Sequence, residues 1–344
     1  MSLAEFKMGI YYSGEEIPYV NGNYFVRPLR NGGLEKRTLR VGEDFKPEFP
    51  DSIDLKITNS CKWGCSFCHE SSVSGGPSFN LERTKEVLSK LPPVAIEIAI
   101  GGGSVFDAFP EYLDLVGWLK ERGNRVRTTI NWNDVKANRK EIKDYLEDCS
   151  YLFKHDDISN EACQLLEILG CHNVGVSMTK YYKNNPFKIR AETLDKMGHL
   201  VANPVYHVIV GVLPLEDLEK MVKDQNNYYK ILVLGFKQFG RASGMKVRYL
   251  EEWKKSIAKI LYDIRNFKGG KELSIAFDNL ALEQLGVRGM LTKEEWDMTY
   301  MGKEFSCSMY VDAVNETFAP SSTSLNRVSW NSTDILTYFK NAHN

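Results

Sequence analysis

Residues 59–70 read NSCKWGCSFCHE and place Cys61, Cys65 and Cys68 within eight positions. Thiolate sulfur suits zinc or iron–sulfur clusters, and spacing this tight lets one short loop wrap three thiolates around a metal centre. Structural zinc closes a tetrahedron with four ligands. His69 is adjacent, but Cys68 and His69 make an awkward pair of ligands, and Cys149, Cys163, Cys171 and Cys307 are remote in the chain. Cysteines scattered in that way are commonly small buried hydrophobes. The cluster therefore offers three thiolates to a metal that wants four ligands.

A second group could do chemistry by its backbone. Gly101, Gly102 and Gly103, followed by Ser104, come straight after an apolar run. Glycines there allow close approach and unusual φ, and leave amides free to bond a ligand. Lys237 and Arg241, in GFKQFGRAS, have the charge to grip a carboxylate or phosphate. The run KYYKNNPFKIR at 180–190 mixes bases with aromatics and reads as a loop near the mouth of a site.

These residues need a scaffold. From about residue 50, short β-rich runs alternate with amphipathic stretches. Strands are expected at 52–58, 94–100, 125–131, 173–179, 204–211 and 230–236, with a seventh possible at 273–277. Helices are expected at 110–123, which Pro110 opens and Gly123 ends, and at 159–170 and 191–200. That alternation predicts a parallel sheet with helical crossovers, and six repeats fit a barrel or partial barrel. The cysteines follow the first strand and the glycines the second, so both sit at the C-terminal ends of strands, where α/β domains bind ligands.

The strand faces carry a further signal. In 52–58, Ile53, Leu55 and Ile57 share one face, and Asp54, Lys56 and Thr58 the other. Glu97 lies between Ala95 and Ala99; Arg127, Thr129 and Asn131 align; His207 is on the less apolar side of its strand. A packed barrel interior reads as almost uniformly apolar. Polar groups on one face instead predict a wet or ligand-filled interior, with Asp54, Lys56, Glu97, Arg127 and His207 as pocket candidates. The alternative is a set of paired buried ions, such as Lys56 with Glu97.

Residues 1–48 carry turn signals, Asn21-Gly22 and Asn31-Gly32, and read as a β-hairpin extension. The barrel spans 49–285. Residues 286–344 form an appended α+β unit, with helical segments at 286–303 and 325–344, a capping box at 292–295, and two β runs in CSMYVDAVNETFAPSS. The chain has 344 residues, 43% hydrophobic and 26% charged, with a formal net charge of −1. That balance has no basic footprint for nucleic acid. No apolar run reaches the ~18 residues of a membrane span, and the first residues lack the apolar core of a signal peptide. Seven cysteines, three of them packed together, fit a reducing compartment. The expectation is a cytoplasmic protein.

CxxxCxxC with an aromatic, Phe67, before its last cysteine, directly after the first strand of a βα series, resembles the radical S-adenosylmethionine superfamily. The resemblance covers roughly residues 50–240. It implies that Cys61, Cys65 and Cys68 hold three irons of a [4Fe–4S] cluster, leaving the fourth iron to the amino and carboxylate groups of S-adenosylmethionine. Gly101–Ser104 is similar to the family's glycine motif that binds the methionine amino group, although no acidic residue follows it here. Ser177 matches a position that often contacts the ribose, Asn131 could reach the ribose or substrate, and Gly211 in VIVGVLP matches the fifth-strand glycine. Residues 307–322 are similar to the start of SPASM and twitch extensions. Ser321 stands where a second cysteine is expected, so no auxiliary cluster is implied.

The resemblance further implies reductive cleavage of S-adenosylmethionine to a 5′-deoxyadenosyl radical that abstracts hydrogen from a C–H bond. A low-potential donor such as flavodoxin or ferredoxin would supply the electron. The tail favours a peptide or protein substrate. A nucleotide or other small metabolite is the alternative, and a metal-stabilised binding module without catalysis the remote one.

Overall fold

The computed structural model describes residues 17–29, 34–131, 133–134, 173–180, 203–224, 230–266 and 274–341. The helices expected at 159–170 and 191–200, most of the run 180–190 and the Asn31-Gly32 turn lie outside them.

The N-terminal strands β1 (Tyr19–Asn21), β2 (Tyr24–Pro28) and β3 (Leu34–Thr38) form an antiparallel sheet of their own. It is pinned to the rest of the chain at buried Asp51. That carboxylate accepts hydrogen bonds from Tyr24 OH (2.7 Å) and Asn21 Nδ2 (2.7 Å) and pairs with Lys36 Nζ at 2.7 Å.

The main sheet begins with β4 (Ser52–Thr58), followed by α1 (Leu81–Leu88), β5 (Glu97–Gly102), α2 (Glu111–Glu121), β6 (Arg125–Asn131), β7 (Asn173–Met178) and β8 (Asn203–Ile209). It continues with α3 (Leu215–Lys223), β9 (Lys230–Leu234), α4 (Leu250–Asn266), β10 (Ser274–Phe277) and α5 (Asn279–Leu285). β4 to β10 run parallel and in chain order. The possible seventh strand is therefore present. β5 starts three residues later than expected and runs into the glycine triplet.

Ile53, Leu55, Ile57, Ile98, Ile100, Val126, Val176, Val208, Ile231 and Val233 are all buried, as are Leu88, Tyr112, Leu115, Leu218, Trp253 and Ile257 on the covering helices. Each aliphatic chain withdrawn in this way contributes roughly 1.5–3 kcal/mol. The aliphatic face of β4 to β9 is thus part of one core that the described helices help to cover. α4 is not among the elements expected from sequence, although Trp253, Ile257 and Ile260 form its buried stripe at helical spacing.

The sheet is curled. Flat, β4 and β10 would lie six strand spacings apart, about 29 Å. Asp54 in β4 nevertheless feels the charges of Asp278, just after β10, and of Lys237, after β9. The open faces of the first and last strands look at one another across a lumen, as in a partial barrel.

After α6 (Lys293–Thr299), whose Thr292–Glu295 capping box is formed, β11 (Ser308–Asp312) pairs in parallel with β4, from Ser308 opposite Ser52 to Asp312 opposite Lys56. β12 (Thr317–Ala319) and β13 (Val328–Ser329) extend the same sheet antiparallel, and α7 (Ile335–Asn341) covers it. The helix expected from 325 starts ten residues later. Asp334 starts it by accepting from Leu336 N and Thr337 N, both at 3.0 Å.

Candidate functional site

The loop between β4 and α1 carries the three cysteines at the barrel mouth. Its base is tied by Cys61 N to Val73 O (2.9 Å) and Val73 N to Asn59 O (2.9 Å). Within it, Cys68 N bonds Cys65 O (3.2 Å) and Ser71 N bonds Cys68 O (3.3 Å), two successive turns that begin at Cys65. Gly64, at φ +59°, makes the left-handed turn between Cys61 and Cys65.

All three thiols are half-buried. Burial, followed for Cys61 by the charges of Asp134 and the other cysteines and for Cys65 by that of Cys68, pushes both thiols upward in pKa. The neighbouring cysteines raise the pKa of Cys61 and Cys65, and a cationic centre among them relieves that repulsion. His69 does not complete the set: its Nε2 lies 3.3 Å from Glu70 Oε1. A thiolate donor set with an open side fits an iron–sulfur cluster. Buried Asn59 Oδ1, with no partner among the described residues, adds an orphaned acceptor at the root of the same loop.

Asn131, at the end of β6, acts on the Cys65 thiol in the sense that favours its thiolate. Its Oδ1 accepts from Asn133 N at 2.9 Å. Phe67 is half-buried beside Cys68, and Trp63 Nε1 donates to Asp134 Oδ1 at 2.9 Å.

The glycine triplet forms the adjoining lip. Gly103 N donates to Thr58 O (2.7 Å) and Ser104 N to Ser60 O (2.8 Å). Those two amides are therefore not available to a ligand, contrary to the expectation from sequence. A ligand amino group needs acceptors, and carbonyl oxygens are the backbone groups that supply them. Glycine is required for fit: a Cβ on Gly103 would lie 2.1 Å from Ser60 O, and one on Gly102, at φ +117°, 2.5 Å from Thr58 O. Gly101 alone faces open space.

Below the lip, register assembles the lumen wall. Asn131 pairs with Ser177 and Ser177 with His207, so these three form one row across β6, β7 and β8. The His207 ring lies over Gly175, where a Cβ would be 2.3 Å from Cε1. Arg127 Nη2 meets Glu97 Oε2 at 2.6 Å. Asp54 is open to the lumen and has no hydrogen-bond or ion-pair partner among the described residues. Its carboxyl is nonetheless raised above the usual range, by desolvation first and by Asp278 against the opposing charge of Lys237.

Lys56 does not pair with Glu97. Its buried ammonium meets Glu70 Oε2 at 2.9 Å and Asp312 Oδ2 at 3.3 Å. Tyr310 OH donates to Glu70 Oε1 at 3.0 Å. Burial alone would raise the Glu70 pKa, but His69 and Lys56 outweigh it and bring the value to about 2. Burial holds His69 below its ordinary value. The Lys56 ammonium, 2.9 Å from Glu70 Oε2, is the nearest lysine or arginine cation to that carboxylate among the described residues.

Lys237 Nζ donates to Ser322 Oγ at 2.8 Å, which joins the loop after β9 to the C-terminal segment. Arg241 turns away from any anion: Nε donates to Cys65 O (2.9 Å), Nη1 to Ser72 O (2.6 Å), and its backbone N to Cys68 O (3.0 Å). Gly211, at φ +75°, packs its Cα against the backbone of Arg248. Glu70, Asp278 and Asp312 were not legible as site residues, although Asp278 directly follows a strand, where such groups are sought.

His207 gives a direct test of the lumen. Burial first, and then the Arg127 charge, lower its pKa to about 4. Unfolded, it protonates at about 6.5. The unfolded state then binds more protons, so stability falls as pH drops from about 6.5 to about 4 and levels off below. With its partial exposure discounted, the loss is roughly 2–3 kcal/mol. Chemical denaturation at about pH 7 and pH 4.5 should show His207→Gln losing less stability on acidification than the parent. An equal loss in both would place the imidazole outside a desolvated lumen.

No family model matches the sequence. Sporulation killing factor maturation protein SkfB of Bacillus subtilis (strain 168) is 28% identical over 137 residues, which make up 39% of this chain and 33% of SkfB. Streptococcus suis SuiB bound to precursor peptide SuiA has a TM-score of 0.56 at 12% identity, covering 85% of this chain and 65% of SuiB. SuiB bound to S-adenosylmethionine gives a TM-score of 0.54 at 12% identity, covering 85% and 66%. The chain thus spans about a third of SkfB and just under two thirds of SuiB. Its fold is that of the SuiB structures, a mostly parallel sheet curled into a partial barrel. Among the described residues, no helix is long and apolar enough to cross a membrane.

Proposed function

We propose that this chain, whose fold and relatives support the resemblance to the radical S-adenosylmethionine superfamily, is an enzyme that cleaves S-adenosylmethionine reductively and abstracts hydrogen from a peptide C–H bond. The carrying observation is the set of three half-buried thiols at the barrel mouth, with His69 turned to Glu70 and a glycine lip beside them. Cys61, Cys65 and Cys68 would hold a [4Fe–4S] cluster. When bound, the cluster supplies the electron that splits the sulfonium carbon–sulfur bond to methionine and a 5′-deoxyadenosyl radical.

The chain's own residues bind and orient. Asn131 acts on Cys65 from the end of β6, and polar groups beside a ligating sulfur tune a cluster. Gly101 leaves room for a ligand at the lip, and Ser177 lines the wall one strand further on. Glu97 and Arg127 neutralise one another while presenting hydrogen-bonding edges to the lumen. Asp54 and neutral His207 are polar groups there for which no bonding partner is seen among the described residues, and they are positioned to hold a substrate.

Peptide is preferred to a nucleotide or small metabolite because SuiB is seen with a precursor peptide and SkfB is named a maturation protein. A cytoplasmic setting, with flavodoxin or ferredoxin as electron donor, follows from the same reading.

Anaerobic reconstitution tests it. Brown protein with about four irons per chain, and 5′-deoxyadenosine formed only with dithionite, is expected. Colourless protein with one zinc would point to a binding module. Deuterium passing into 5′-deoxyadenosine from a nucleotide and from no peptide would remove the peptide reading.

A further inference from the structure

We propose that Arg241 is a positioning residue that folds the cysteine loop into its ligating shape before any metal arrives and sets a fixed positive charge beside it. The metal-related half of this inference rests on the function proposed above.

The cysteine loop has no regular secondary structure of its own: inside it Cys65 O and Cys68 O accept only long bonds, from Cys68 N at 3.2 Å and Ser71 N at 3.3 Å, and the Ser72 carbonyl has no backbone tie within the loop among the described residues. Buried carbonyls without partners are costly. Arg241 reaches the Cys65, Cys68 and Ser72 carbonyls from the loop after β9, through Nε, its backbone N and Nη1, at 2.9, 3.0 and 2.6 Å, shorter than the bonds the first two accept within the loop. Cys65 and Cys68 are two of the three proposed ligands, so the contacts fix the spacing of the ligands themselves. The planar guanidinium spans the Cys65 and Ser72 carbonyls at a set separation, which a lysine cannot reproduce.

Gly240 supports the same docking independently. It sits at φ +57°, and a Cβ there would lie 2.3 Å from His69 O and 2.7 Å from Ser71 Oγ. The loop after β9 is thus seated directly on the cysteine loop. The guanidinium also lies directly against Cys65, whose carbonyl its Nε reaches at 2.9 Å. A fixed positive charge so placed stabilises the more negative, reduced form of a cluster, and charge and hydrogen bonding around the sulfurs are what tune its potential.

The test compares the full-length parent chain with Arg241→Gln and Arg241→Lys. In the iron-free state, hydrogen exchange should show the Cys61, Cys68 and Val73 amides protected in the parent. In R241Q their exchange should rise roughly tenfold or more while α4 stays protected. After reconstitution, R241Q should lose iron to a chelator about 10- to 100-fold faster, with a midpoint potential below the parent's. R241K keeps the charge and loses the fork, so its potential should stay near the parent's while its loop amides exchange as in R241Q.

Equal loop protection in parent and R241Q, or an unprotected loop in the iron-free parent, overturns the proposal. If R241Q also loses protection in α4, it has not folded, and R241K decides: loosening confined to the loop supports the proposal and an unchanged loop refutes it. A parent that takes up no iron defeats the function proposed above and leaves the exchange comparison standing.

Discussion

Cys65→Ala is expected to give a folded chain without iron that forms 5′-deoxyadenosine only at background. The Cys65 side chain is half-buried and outside the hydrophobic core, while the ties that shape its loop run through backbone atoms that alanine keeps. The stability cost should therefore stay within about 1 kcal/mol. Function has no such tolerance, because two thiolates cannot retain a cluster that three held with one side already open to a ligand. Cys307→Ala is the matching control, and its iron content should equal the parent's. Cys307 precedes Ser308, which pairs with Ser52 at the N-terminal end of β4. The cysteine loop leaves the other end of that strand, about 20 Å away. Cys307 instead lies against Tyr24 OH (3.8 Å), beside the Asp51 hub. Iron analysis and circular dichroism on both variants settle the matter. Iron loss in C307A would reveal a second metal centre, against the absence of an auxiliary cluster proposed from Ser321.

The parts of the fold legible in sequence are those fixed by local pattern. Alternation of Ile53, Leu55 and Ile57 with Asp54 and Lys56 gives both the strand and its two environments, and β11 and β12 follow from two short apolar runs around a polar turn. The docking of β11 onto β4 was not legible. It joins residues more than 250 positions apart, and parallel pairing leaves no signature in either strand alone. The same limit governs the site. Cys61, Cys65 and Cys68 declare themselves by spacing, whereas the role of Arg241 depends on which carbonyls happen to face it. Charge alone assigned it to an anion; the structure gives it three peptide oxygens. Lys56 and Glu97 likewise look like complementary ions on adjacent strands. Each has a nearer partner brought by another segment: Glu70 and Asp312 for Lys56, and Arg127 for Glu97.

That long-range partnership makes Lys56→Met the largest expected loss of stability. Lys56 is 5% exposed, and its ammonium lies within 3.3 Å of two carboxylates that are themselves almost fully enclosed. Methionine fills a similar volume, so the loss is one of charge. Glu70 would keep Tyr310 OH and the imidazole of His69, and Asp312 would keep Arg327 Nη1 at 3.7 Å, but each would lack its nearest cation. Breaking a buried pair in this way costs about 3–5 kcal/mol, because the stranded charge stays desolvated. Urea denaturation of the iron-free chain should show that loss in K56M. Adding Glu70→Gln should recover part of it, since the second change removes one of the stranded charges, and the recovery measures the coupling. Glu70 follows Cys68 by two residues and Asp312 closes β11, so Lys56 holds the cysteine loop and the C-terminal hairpin to one point on β4. K56M should accordingly retain iron less well than its residual fold predicts. A K56M chain within about 0.5 kcal/mol of the parent would mean that water, and not Lys56, balances those carboxylates.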